Sequence, residues 1–200
     1  YTFSMHGNVG DFWNRAVMHK NMGYDKFYSK SSFDITEEIG LGISDKEFFK
    51  QAVPMIKDIN DKGEKFYGTL ITLTNHTPWS DMELLDEFDT TMKVNIDGEE
   101  IVRDYINGTT LGDYYRNVHY MDQAIEQFIN DLDKEGILDN TVIVIYGDHD
   151  ARISKKDYNI LYNYDPYSDS LKEENDEGYY DYNKYDYNIL NYNSCCNNFL

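Results

Sequence analysis

The sequence predicts an α/β fold: a mostly parallel sheet with helices on both faces. Three observations point to it. Residues 1–150 alternate short apolar or β-branched runs with stretches of helical periodicity. The run Thr141-Val142-Ile143-Val144-Ile145-Tyr146 is apolar throughout, as in strands covered from both sides. And three of the five histidines directly follow predicted strands, where ligands bind in open α/β sheets.

The elements are predicted in order along the chain. Thr2-Phe3-Ser4-Met5 is a short strand, and His6-Gly7-Asn8 turns away from it. Asp11 is placed to cap a helix running to about Lys20 and ending near Gly23. Ser44 and Glu47 form a capping-box pattern ahead of Phe48, Phe49, Ala52, Val53, Ile56 and Ile59 at helical spacing, with Pro54 expected to kink or break that helix. Phe66 to Leu73 is a β-branched-rich strand closed by Thr74-Asn75-His76. Leu111, Tyr114, Tyr115, Val118, Met121, Ile125, Phe128, Ile129 and Leu132 form the apolar stripe of a long helix that Gly136 ends. The apolar strand 141–146 completes the series.

From about Lys155 the composition changes. Between Asp157 and Asn193 there are ten Tyr and nine Asp or Glu, and Asp-Tyr-Asn-Ile-Leu occurs at 157–161 and again at 186–190. Two copies are too few for a solenoid, so the segment reads as an insertion or peripheral hairpin. The division is therefore an α/β domain over 1–154 and a Tyr/Asp-rich segment over 155–200.

Bulk properties narrow the function. Two hundred residues with 40% hydrophobic content suit one sizeable core. The 37 acidic against 18 basic residues give a net charge of -19, which excludes nucleic acid as a partner and disfavours an anionic lipid surface. No apolar run approaches the ~20 residues that cross a bilayer. The opening YTFSMHGNVG has no initiator Met, basic region or apolar core, and sequence is expected upstream of it. Cys195 and Cys196 are adjacent, a poor geometry for a mutual disulfide.

The histidines carry the chemistry. Asp148 and His149 leave the apolar strand in Tyr-Gly-Asp-His-Asp, and a carboxylate beside an imidazole suits Mn²⁺ or Zn²⁺. The same pair could instead be a capping Asp beside an ordinary polar His, and the strand-end placement favours the metal. His76 could hydrogen-bond a phosphoryl oxygen or move a proton; alternatively it is a turn histidine satisfied by backbone. His6, Trp13 and Arg15 form a second group. An Arg fork matches phosphate oxygens, whereas Trp13 could serve as a core aromatic, as Phe12 is expected to. If the strands are parallel neighbours, the loops of His6, His76 and His149 face one crevice. His19 and His119 fall within helices and receive no role.

These residues resemble a known family. His6-Gly7-Asn8 through Phe12-Trp13-Asn14-Arg15, Gly23-Tyr24-Asp25-Lys26-Phe27, Thr72-Leu73-Thr74-Asn75-His76-Thr77-Pro78, Val118-His119-Tyr120-Met121-Asp122 and Tyr146-Gly147-Asp148-His149 are similar, in order, to the extracellular domain of lipoteichoic acid synthases. That family belongs to the sulfatase and alkaline phosphatase-like superfamily, and the resemblance covers about residues 1–153.

The resemblance implies a membrane-anchored phosphoglycerol transferase on the extracytoplasmic face of a bacterial membrane. Its substrates would be phosphatidylglycerol and a glycerol phosphate polymer, and its cofactor Mn²⁺, with Mg²⁺ or Zn²⁺ as alternatives. Asp148 and His149 would be metal ligands, His76 would contact the phosphoryl group as the catalytic residue, and His6, Trp13, Arg15 and His76 would bind glycerol phosphate. The family's threonine nucleophile, a glutamate ligand and membrane helices lie upstream of the His-Gly-Asn motif. The fold is therefore expected to be incomplete and the 200-residue chain inactive alone. Asp150 departs from the aromatic residue many relatives carry. A sulfatase or phosphodiesterase-type hydrolase, or a non-catalytic cell-wall polymer-binding domain, are the alternatives.

Overall fold

The computed structural model describes residues 1–181, which form two compact units. The first comprises Tyr1–Leu85 and Asn117–Ile143, the second Asp86–Arg116 and the residues from Val144 onward. The second Asp-Tyr-Asn-Ile-Leu copy, Cys195 and Cys196 lie outside the described residues. Among those described, no helix is long and apolar enough to cross a membrane.

The first unit is organised by a parallel sheet. Strand β1 (Thr2–His6) lies between β2 (Lys26–Tyr28) and β5 (Tyr67–Ile71), giving the order β2-β1-β5. Side chains alternate across a strand, so β1 serves two environments. Phe3 and Met5 enter the apolar core with Phe48, Phe49, Ala52, Val53, Ile56 and Ile59 of helix α2 (Asp45–Asn60) and Ala124 and Leu132 of α3 (Thr110–Lys134). Ser4 and His6 face the other side, where His19 of α1 (Arg15–Asn21) has Nδ1 2.6 Å from Ser4 Oγ. Helices thus cover both faces of the sheet, as predicted.

The helix signals are mostly realised. Ser44 Oγ accepts from Glu47 N at 3.4 Å at the start of α2. Gly136 ends α3 with a positive φ of 68°, Ile137 N donates to Leu132 O at 3.0 Å, and Gly136 N donates to Asp133 O at 2.9 Å. This is the 6→1 and 5→2 pattern that a glycine in the left-handed region permits. Of the two outcomes expected at Pro54, the break does not occur: α2 runs on from Asp45 to Asn60 with the proline inside it. Both Pro54 and Lys50, whose carbonyl would have accepted the missing N–H, are exposed, on the side of the helix where losing that bond costs least.

Two predicted elements are corrected. The helix after β1 begins at Arg15 rather than near Asp11, because Trp13 and Asn14 take φ of 54° and 55° and interrupt it. The run 141–146 is not a strand: it pairs with no strand among the described residues. Val142 and Val144 are 91% and 75% exposed, while Ile143 alone packs against the core. An apolar run becomes a buried strand only where a neighbouring strand can take its N–H and C=O groups.

The small hairpin β3–β4 (Glu38–Ile39, Gly42–Ile43) also belongs to the first unit. In the second unit, β6 (Met92–Ile96) and β7 (Glu99–Arg103) form an antiparallel hairpin around Asp97 and Gly98, whose φ values of 54° and 90° fit a tight hairpin turn. Ser154 and Asp157 make a reciprocal capping box on α4 (Lys155–Asn163), followed by the hairpin β8–β9 (Tyr164–Asp165, Ser170–Leu171). The Tyr-rich segment therefore carries ordered structure at least to its first half.

Candidate functional site

Four of the six predicted site residues come together in the first unit. His6 ends β1, fully buried, and its ring lies 6.3 Å from that of Phe12 at an interplanar angle of 18°. Phe12 in turn lies 4.5 Å from Trp13, and Trp13 lies 5.4 Å from His76. The Arg15 guanidinium sits 5.2 Å from the centroid of the Trp13 ring. Two imidazoles, an indole and a guanidinium thus form one connected group at the carboxyl ends of β1 and β5.

The backbone explains how Trp13 reaches this position. Consecutive left-handed conformations at Trp13 and Asn14 are costly for residues with a Cβ, roughly 1–3 kcal/mol each for non-glycine residues held there. They turn the 52%-exposed indole out of the helical path while Arg15 begins the helix behind it. The ring then presents its face to the cation, an arrangement with its own attraction. Phe12, expected in the core, is instead a half-buried spacer between His6 and Trp13.

Electrostatics set the protonation of His6. Burial first, then the Arg15 and His19 charges, lower its pKa from 6.5 to about 4. His6 is therefore neutral at ordinary pH. Neither ring nitrogen finds a hydrogen-bond partner among the described residues, and a buried polar atom left unpaired is costly. A donor and an acceptor are consequently held in reserve beside a guanidinium. His19 is also lowered, by burial and then by Arg15, but its Nδ1 is engaged with Ser4.

His76 sits in the turn after β5 and is half-buried. Its backbone N donates to Leu73 O at 2.9 Å, and Trp79 Nε1 donates to Asn75 O at 3.2 Å, closing the loop. His76 Nδ1 lies 2.5 Å from Thr77 O. A carbonyl only accepts, so Nδ1 carries the hydrogen and Nε2 is the atom able to take up or deliver a proton. The backbone contact expected of an ordinary turn histidine is thus present, and it also fixes the tautomer.

Asp148 and His149 belong to the second unit and are exposed. His149 Nε2 is 3.7 Å from Asp148 Oδ1, and His149 Nδ1 is 2.9 Å from Asp150 O. Among the described residues no group of three or more His, Cys, Asp or Glu is arranged to hold a metal ion. The pair brings two donors of the right chemistry close enough to share one cation, and the described residues add no third.

One buried residue near the site escaped the sequence reading. Asp45, the first residue of α2, is 1% exposed. Its Oδ1 accepts from Leu73 N at 2.9 Å, and both oxygens accept from Thr74 N, at 3.3 and 3.2 Å. An Asp in a first helical turn is an ordinary sequence feature, so only the fold reveals that it reaches a strand end.

A parallel sheet with helices on both faces defines an α/β protein, and the turns after β1 and β5 bring two imidazoles near an indole and a guanidinium. Its family follows from comparison. A model of the Sulfatase family matches residues 1–194, and the chain belongs to that family. It is 38% identical over 149 residues to lipoteichoic acid synthase 1 of Bacillus subtilis (strain 168), covering 74% of this chain and 21% of that protein. It is 40% identical over 147 residues to lipoteichoic acid synthase of Staphylococcus aureus (strain USA300), covering 72% of this chain and 20% of that protein. The crystal structure of the lipoteichoic acid synthase LtaP from Listeria monocytogenes superposes with a TM-score of 0.65 at 33% identity, covering 78% of this chain and 35% of that one. The fold is thus sulfatase/alkaline phosphatase-like. The chain spans about one fifth of the length of these curated relatives.

Proposed function

We propose that this chain supplies the glycerol phosphate-binding part of a phosphoglycerol transferase. The polypeptide carrying it would move glycerol phosphate from phosphatidylglycerol to a growing polyglycerolphosphate chain on the extracytoplasmic face of a bacterial membrane. One observation carries the reading. In a chain of net charge -19, a 9%-exposed arginine is held against an outward-turned indole within reach of two strand-end histidines. A guanidinium kept in place this way suits phosphate oxygens, and an exposed aromatic face suits the C–H groups of a glycerol moiety.

Each residue has a role in this reading. Arg15 neutralises and orients the phosphoryl oxygens. Neutral His6 offers a hydrogen bond without adding a competing charge. His76, with its tautomer fixed through Thr77, takes up a proton at Nε2 and in that protonated form donates to a phosphoryl oxygen. Trp13 covers the glycerol. Asp148 and His149 would hold the divalent cation, read as Mn²⁺ with Mg²⁺ or Zn²⁺ as alternatives; when bound, such an ion polarises a phosphoryl oxygen.

The nucleophile is read as a threonine outside these 200 residues. Thr74, which precedes the His76 turn, is 2% exposed and its Oγ1 accepts from Asp45 N at 3.0 Å. Thr2 Oγ1 is engaged with Asp25. Both hydroxyls serve the fold in these contacts, and in this reading the chain alone is inactive because its nucleophile lies elsewhere.

The test assays the full-length polypeptide with lipid-linked glycerol phosphate, an aryl phosphate and an aryl sulfate. Transfer of glycerol phosphate, lost in Arg15→Ala and His76→Ala, is the expected result. Hydrolysis of the aryl esters without any transfer would replace this reading with a hydrolase of the same family.

A further inference from the structure

Asp45 contacts none of the four site residues directly, yet its surroundings are unusual for a carboxylate. It is 1% exposed, and among the described residues no lysine or arginine forms an ion pair with it. Backbone N–H groups of Leu73 and Thr74 point at its oxygens instead, and Thr74 Oγ1 accepts from its own N–H. Burial pushes its pKa up to about 6, against the pull of those N–H groups. A carboxylate is seldom buried without a cation, because desolvation is costly. These donors meet that cost at one place: the point where the chain leaves β5 and turns toward His76.

The neighbouring residues brace the other strand end. Ile43 N donates to Gly7 O at 3.0 Å, directly after His6, and Asn8 Nδ2 donates to Leu41 O. A Cβ on Gly42 would lie 2.5 Å from Gly7 O and 2.8 Å from Leu73 Cδ1. Residues 41–45 therefore touch the turn after β1 and the turn after β5 at once, and only a glycine fits between them.

We propose that Asp45 is a positioning residue: by gripping the N–H groups of Leu73 and Thr74 it fixes the turn that holds His76 against Trp13, and so sets the affinity for a phosphate ester it never touches. This rests on the glycerol phosphate reading given above. Loss of the grip leaves two N–H groups buried without acceptors, and the turn rearranges to hydrate them. His76 moves with it, since its N–H is bonded to Leu73 O.

The experiment compares Asp45→Ala, Asp45→Asn and Val53→Ala in the full chain. Val53 is a core residue of α2, and its truncation supplies a destabilised control with an untouched site. Two signals are read under conditions where circular dichroism shows every variant folded: glycerol phosphate affinity by calorimetry, and the His76 ring resonances by NMR of ¹⁵N-histidine-labelled protein. Asp45→Ala is expected to weaken binding roughly tenfold, as loss of one or two buried hydrogen bonds would, and to shift the His76 signals. Asp45→Asn keeps one acceptor and is expected to fall between Asp45→Ala and wild type. Val53→Ala is expected to leave both signals unchanged.

Unmoved His76 resonances in Asp45→Ala, or equal effects from Val53→Ala, would overturn the proposal. If Asp45→Ala does not fold, Asp45→Asn alone carries the same comparison. Absence of glycerol phosphate binding by the wild type would defeat the functional reading, while the His76 resonances would still decide the role of Asp45.

Discussion

Replacing His6 with glutamine should change how stability depends on pH, and the size of the change follows from its burial. The His6 pKa falls from 6.5 to about 4 in the folded protein. Between those values the unfolded chain binds a proton that the folded chain does not, so stability is full above about pH 6.5 and is lost as pH falls toward 4. That displacement corresponds to about 3 kcal/mol of stability. Other groups titrate in the same range. Asp45, raised to about 6, works in the opposite sense: the folded chain binds the extra proton, and stability rises as pH falls from about 6 toward 4. His19, lowered by burial and Arg15, works in the same sense as His6. Subtracting the variant from the wild type cancels the Asp45 contribution and leaves from His19 only its coupling to His6, the smallest of the three causes of the His6 shift. Urea unfolding at several pH values between 4 and 7, followed by emission of the two tryptophans, gives the difference directly. The cost of His6→Gln at neutral pH should shrink by about 3 kcal/mol by pH 4. A cost independent of pH would mean that His6 is not held neutral, and the electrostatic account of the site would fail.

Other expectations are smaller in scope. Gly42→Ala should destabilise by about 1–3 kcal/mol, as overpacking against rigid backbone does, and should also weaken glycerol phosphate binding, because the atom it strikes follows His6; an unchanged melting temperature would contradict the close approach. Asn14→Gly should leave stability within about 0.5 kcal/mol of wild type, whereas Asn14→Val should cost about 1–2 kcal/mol in the left-handed conformation, both read by urea unfolding. Gly136→Ala should cost about 1 kcal/mol by placing a Cβ in the turn that ends α3, and a neutral result would contradict the cap.

Much of this was legible because local chemistry and final structure agree. Ser44 with Glu47, Gly136, and the alternation of Phe3, Ser4, Met5 and His6 are short-range signals that the fold keeps. Placing histidines at strand ends put the loops of His6 and His76 in one crevice, while Trp13 and Arg15 joined His6 as the residues that follow it and through the family resemblance. What was not legible depends on distant partners. The run 141–146 has strand composition, but composition does not say which strand receives it. Whether Pro54 breaks its helix depends on the exposure of Lys50, which no local pattern gives. Asp45 looks like any acidic residue in a first helical turn; only the packing of α2 against the end of β5 gives it another task. The β6–β7 hairpin, by contrast, has a local signal in Asp97-Gly98 between alternating residues.

The central claim is that Arg15 and His76 act on the same phosphoryl group, and a double-mutant cycle in glycerol phosphate affinity tests it most directly. Arg15→Lys, His76→Gln and the pair are measured by calorimetry in the full-length polypeptide. Shared contact with one ligand group predicts a coupling energy of about 0.5–3 kcal/mol. Losses that add to within about 0.5 kcal/mol, or a wild type that does not bind glycerol phosphate, would contradict it.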